Sequence, residues 1–113
     1  MRRAVSDRAA ADDLAVRIWE NFDHGTQRAI LRLYRSADPA TLAKAGERLG
    51  EIDAPALVAW GERDPYIPRE FAQRYADALG GQTTVETMSG AGHWLWLDRP
   101  EAVDTIASFL ERT

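Results

Sequence analysis

Apolar residues recur at helical spacing through the first half of the chain and change to strand-like runs in the second. Leu14, Ile18 and Phe22 stand at i, i+4 and i+8 with Trp19 beside them, which predicts a helix capped by Ser6 or Asp7 and broken at His24-Gly25. A second helix is predicted from about Thr26 to Ser36, with Ile30, Leu33, Tyr34 and Ala37 on one face and Gln27, Arg28, Arg32 and Arg35 mostly outside. Asp38-Pro39 reads as the start of a third, Asp38 as N-cap and Pro39 as first helical residue. Leu42, Ala45 and Leu49 give that helix its apolar side, and Gly50 is placed to end it.

Beyond Pro55 the pattern shortens. Ala56 to Trp60 is an unbroken apolar run between Pro55 and Gly61, the mark of a strand buried on both faces. Residues 69–79 return to helical spacing through Phe71, Ala72, Tyr75, Ala76 and Leu79, and Gly80-Gly81 closes the element. Thr83 to Met88 is rich in β-branched residues and predicts a more exposed strand. After Gly90-Ala91-Gly92, Asp98 and Glu101 form a D-x-x-E capping box for a last helix, with Val103, Ile106, Ala107 and Leu110 as its buried stripe. Strand, helix, strand, helix implies a right-handed crossover between parallel strands. The fold class is therefore α/β: a helical segment over residues 1–49, then an α/β unit over residues 50–113. Two parallel strands alone leave edges unpaired and an apolar strand uncovered, so the unit is expected to be part of a larger sheet.

Composition narrows the chemistry. The 113 residues suffice for one domain and are few for a complete doubly wound enzyme. A hydrophobic fraction of 45% and a charged fraction of 28% are those of an ordinary globular protein. The net charge of −4 speaks against nucleic acid or an anionic membrane as partner. No cysteine is present, which excludes disulfides and thiolate ligands within these residues. The two histidines lie far apart without a second ligand at a recognisable spacing, so neither metal nor cofactor is expected. Arg2-Arg3 could open a twin-arginine signal, but Asp7, Arg8, Asp12 and Asp13 stand where an apolar region is needed, and the expected location is cytoplasmic.

The candidate chemistry sits after the two strands. In a parallel sheet, loops following strand C-termini gather along one edge, where ligands bind. Asp64 follows the first strand and His93 the second, so both are expected at that edge. A carboxylate there fixes the imidazole tautomer through one ring nitrogen and leaves the other to take a proton from a nucleophile or from water. The glycines around Ala91 let the loop turn tightly enough to bring His93 to its partner.

Trp60-Gly61-Glu62-Arg63-Asp64-Pro65-Tyr66-Ile67-Pro68, followed by Gly90-Ala91-Gly92-His93-Trp94 and Asp98-Arg99-Pro100-Glu101, resembles the closing portion of the α/β-hydrolase family. The similarity is greatest to the branch with a helical cap, which includes haloalkane dehalogenases, epoxide hydrolases and related esterases. It covers residues 50–113 well, and residues 1–49 more loosely as a cap remnant and the helix leading back to the sheet. The resemblance implies a partial α/β-hydrolase fold with Asp64 as triad acid and His93 as triad base. It also implies a small-molecule substrate bearing an ester, epoxide or carbon–halogen bond. The nucleophile has no counterpart: none of Ser6, Ser36, Ser89 or Ser108 lies in G-x-S-x-G, and no aspartate stands on such a turn. The expectation is a C-terminal segment whose nucleophile belongs to an N-terminal partner segment, or a non-catalytic remnant that associates through its exposed sheet.

Other residues read differently. Glu62 comes earlier in the turn than Asp64 and is expected to be a solvated charge, while His24 is expected to be structural. Of the four tryptophans, Trp60 ends a strand and belongs to the core. Trp94 and Trp96 follow His93, and Trp94 is the candidate to wall a hydrophobic substrate pocket, with packing under the last helix as the alternative.

Overall fold

A computed structural model describes residues 8–112. Three helices come first: α1 (Arg8–Glu20), α2 (His24–Ser36) and α3 (Pro39–Gly46). A single 3-10 turn over Leu49–Glu51 leads to β1 (Ala56–Gly61), α4 (Glu70–Ala78), β2 (Thr83–Met88), the one-turn α5 (Leu95–Asp98) and α6 (Glu101–Leu110). The strands pair in parallel, from Ala56 opposite Thr83 to Gly61 opposite Met88, so they end level. That alignment brings the loops carrying Asp64 and His93 to one edge.

Several elements match their sequence signals closely. Asp38 caps α3 by accepting from the amides of Ala40 and Thr41, both at 3.0 Å, with Pro39 as first helical residue. Others differ. The helix expected from about Thr26 begins at His24, because Asp23 accepts from the Thr26 amide at 2.7 Å and nucleates the turn that contains Gly25. The first helix stops at Glu20, short of Phe22, whose ring stacks on Trp19. Its expected caps, Ser6 and Asp7, lie outside the described residues. The third helix ends at Gly46 rather than Gly50.

The core lies beneath the edge that carries the site. Met88, Ala91, Leu95 and Ala102 form one buried cluster with Ala59 packed on it. α4 packs on both strands and buries Ala72, and α6 packs on β1. The first strand, expected to be buried on both faces, is only half-buried from Ala56 to Trp60, since β2 is its one strand neighbour among the described residues. The last helix is turned from its expected face. It presents Ala102, Thr105 and Phe109 inward and leaves Val103, Ile106, Ala107 and Leu110 exposed. Small Ala102 permits the close approach of its backbone. No residue of α2 or α3 is buried, so the expected apolar faces of both helices are uncovered among the described residues. No described helix is long and apolar enough to cross a membrane.

Candidate active site

β1 ends in Gly61 because nothing larger fits: a β-carbon there would overlap the carbonyl oxygen of Gly92 in the loop that crosses above it. Two ladder-like bonds continue past the strand ends. The Glu62 amide donates to the Met88 carbonyl at 3.1 Å and the Arg63 amide to the Ala91 carbonyl at 2.8 Å. The two loops are thus fastened to each other before any side chain acts.

Asp64 then turns the chain. Its Oδ1 accepts from the amides of Tyr66 at 2.8 Å and Ile67 at 3.1 Å, an Asx turn that fixes the carboxylate plane. Its Oδ2 is left facing the second loop and meets His93 Nδ1 at 2.7 Å. The Asp64 side chain is 6% exposed and that of His93 37%, so the acid is covered while the imidazole reaches solvent. Burial of Asp64 opposes its ionisation. The bond from His93 and the Tyr66 and Ile67 amides together outweigh burial and hold the carboxyl below the ordinary carboxylate range. At neutral pH Asp64 is therefore an anion, and in the uncharged form of the imidazole Nδ1 carries the proton donated to it. Nε2 then holds the lone pair, which is the tautomer a general base needs. The edge of the Tyr66 ring stands against the imidazole, centroids 5.3 Å apart, and limits its rotation.

Asp64 and His93 border a depression of about 120 Å³ whose apolar wall includes Ala59, Trp60, Ile67 and Leu95. Trp60, expected in the core, is half-buried and stands outside the buried cluster; it lines this depression and donates from its indole N–H to the Ile67 carbonyl at 3.3 Å. Trp94 stands outside that lining and packs edge-on against Trp96, centroids 5.7 Å apart. His24 opens α2, away from this loop pair in sequence and element.

Two expected roles change. Glu62 is not a free solvated charge: its Oε2 accepts from the Ser89 hydroxyl and the Gly90 amide, both at 3.0 Å. Those two donors, the Gly90 amide foremost, hold its carboxyl below the ordinary range. Asp98 is not the N-cap of the last helix, which Pro100 precedes without a side-chain cap. Its Oδ2 accepts instead from the Gly92 amide at 2.7 Å, one residue before His93. The D-x-x-E pattern points equally to a cap and to this return contact, and spacing alone does not separate them.

The serine hydroxyls with recorded bonds are engaged elsewhere, Ser89 with Glu62 and Ser36 with the Leu33 carbonyl at 2.9 Å. Among the described residues, no three His, Asp or Glu side chains gather as a metal-binding group. What the arrangement offers is an oriented, solvent-reaching base beside an apolar wall.

Comparison with known proteins bears on the family of the chain. The chain is 30% identical over 77 residues to a 2-hydroxy-6-oxononadienedioate/2-hydroxy-6-oxononatrienedioate hydrolase of Klebsiella pneumoniae, covering 67% of this chain and 26% of that protein. It is 31% identical over 71 residues to a hydrolase of the same name from Cupriavidus pinatubonensis, covering 63% of this chain and 24% of the relative. A third, from Pseudomonas putida, is 29% identical over 71 residues, with the same coverage of 63% and 24%. The chain thus spans about a quarter of the length of these curated relatives. No solved structure matches it. The model of the alpha/beta hydrolase family matches residues 2–105, nearly the whole sequence, and the chain belongs to that family.

Proposed function

We propose that this chain carries the acid and the base of a hydrolase triad, Asp64 orienting His93 and His93 accepting the proton of a nucleophile that residues 8–112 do not display in a G-x-S-x-G turn. The observation that carries the reading is the 2.7 Å bond between His93 Nδ1 and an ionised, covered Asp64 at the C-terminal edge of a parallel sheet. His93 Nε2 takes the proton as the nucleophile attacks, and the imidazolium that forms is stabilised by the Asp64 anion. The proton is then returned to the leaving group. A serine nucleophile directs this chemistry to carbonyl substrates; an aspartate, already an anion, attacks an epoxide or carbon–halogen bond without giving up a proton, and His93 then takes the proton of the water that hydrolyses the resulting ester. The relatives' names add hydroxy-oxo dienedioates to the esters, epoxides and haloalkanes that family resemblance implies. The apolar wall of Trp60, Ile67 and Leu95 supports a substrate with a hydrophobic portion.

The test is turnover of these four substrate classes by the polypeptide isolated from its own cells. Activity is expected in at least one class, lost in His93→Ala and reduced on the order of 10⁴-fold in Asp64→Asn. Turnover untouched by His93→Ala overturns the reading.

A second reading is a non-catalytic module that associates through its sheet with a partner chain or with itself. It is favoured by one observation: β1 and β2 pair only with each other among the described residues, so each has an open edge. Absence of turnover in all four classes, together with a stable complex, supports this reading over the first.

A further inference from the structure

We infer that Glu62 and Asp98 are positioning residues whose carboxylates hold the Ser89–Gly92 loop from two sides and thereby set His93 against Asp64. The inference rests on the proposed pairing of His93 with Asp64 in the reaction.

The loop is four residues long and its polar groups are taken up in a regular way. Glu62, reaching from the acid-bearing loop, receives the Ser89 hydroxyl and the Gly90 amide, each at 3.0 Å. Asp98, at the end of α5, receives the Gly92 amide at 2.7 Å. Between these, the Ser89 carbonyl accepts from Arg99 Nε at 2.9 Å and the Ala91 carbonyl from the Arg63 amide at 2.8 Å. Gly90, at φ +75°, takes the backbone into a region that a side chain disfavours and aims its amide at Glu62.

The two carboxyl groups act on Ser89, Gly90 and Gly92, within the four residues that precede His93, and a hydrogen bond to a carboxylate is about twice as strong as a neutral equivalent. Catalytic groups need to be held within roughly 0.5 Å of working geometry, and a glycine-rich loop does not hold itself to that tolerance. A loop fixed only for folding has no need of two charges converging on the residues that precede the base. Glu62 has a second consequence. It ties the loop of the base to the loop of the acid, so the two residues move together.

The experiment uses the full chain with ¹⁵N-labelled histidine. It contains two histidines, so His24 on α2 is an internal reference. Imidazole ¹⁵N shifts, read where the rings are neutral, report which nitrogen is protonated. The unaltered chain is expected to show His93 protonated on Nδ1, and Asp64→Ala to lose that pattern. If the unaltered chain does not show it, the pairing itself fails, separately from the brace. Glu62→Ala and Asp98→Ala are each expected to lose much of the Nδ1-protonated signal with His24 unchanged. Glu62→Gln and Asp98→Asn should fall between, since a neutral carbonyl accepts the same bond more weakly. A folded alanine variant that keeps the wild-type His93 pattern overturns the inference. Should an alanine variant unfold, the amide variant decides, and a pattern identical to wild type overturns it equally.

Discussion

Asp64 divides its two oxygens between backbone and imidazole, and that division determines how it responds to acid. Burial works against its charge, but the three hydrogen bonds it accepts leave its folded pKa below the ordinary value of about 3.9. A carboxyl lowered on folding contributes stability that is fully present above the unfolded pKa and is lost as pH falls through the folded one. The urea midpoint is therefore expected to lose this contribution only below about pH 4. Asp64→Asn should lie below wild type at neutral pH, with the gap narrowing as the solution is acidified. Parallel curves across the whole range contradict the account. Gly61 offers a second test at this scale. Its substitution by alanine drives a methyl into the Gly92 carbonyl, which cannot withdraw without moving His93. Gly61→Ala is expected to cost about 1–3 kcal/mol, the usual penalty for overpacking, as measured by chemical unfolding. The meeting of Asp64 with His93 was legible in the sequence because each lies in the loop that follows a strand of one parallel pair. Their braces were not. Glu62 lies in a polar turn that reads as solvent-facing, and the contact of Asp98 with Gly92 depends on a one-turn helix that doubles the chain back.

At the scale of elements, local signals succeeded where one residue settles the geometry. Asp38-Pro39 is the clearest case: Asp38 takes two amides and the Thr41 hydroxyl, the latter at 2.7 Å, and its carboxyl is held low, by the Thr41 hydroxyl above all. α3 has only eight residues and buries none of them, so little besides this cap sustains it. Asp38→Ala is expected to reduce the helical circular dichroism signal, and Asp38→Asn to retain more of it. Equal spectra for both variants and wild type show that the helix does not depend on its cap. Thr83 to Met88 was equally legible, since Thr83, Thr84, Val85 and Thr87 are β-branched and β2 spans the stretch they mark. The facing of α6 was not. Ala102, Val103, Ile106, Ala107, Phe109 and Leu110 lie on one broad side of that helix, and the part of it that is buried is the margin carrying Ala102 and Phe109 rather than its middle. The choice falls to packing, where small Ala102 fits against the Met88–Ala91–Leu95 cluster.

The whole molecule is less enclosed than its length allows. A folded monomer of 12.6 kDa exposes about 6,200 Å². This chain exposes 8649 Å². Its radius of gyration of 16.4 Å likewise exceeds the roughly 13 Å of a compact domain of this length. The excess is apolar in part: Trp19 is 76% exposed and Tyr34 77%, on helices that give little packing to the sheet. Buried large side chains are correspondingly scarce, and the core is built mainly of alanines with Met88 and Leu95. Burial at about 25 cal/mol per Å² leaves such a core weak against the entropy of ordering the chain. The apolar surface, meanwhile, offers further burial through contact with another polypeptide. The 113-residue chain is therefore expected to associate in dilute solution, with a sedimentation coefficient that rises with concentration. Its unfolding should be broad at concentrations where it is monomeric. Replacing Trp19 and Tyr34 by polar residues should weaken association while leaving the His93–Asp64 pair intact, because that pair is built entirely from residues after β1. A monomer with one sharp cooperative transition contradicts this account, since it requires the small Met88–Ala91–Leu95–Ala102 cluster to stabilise the chain without help.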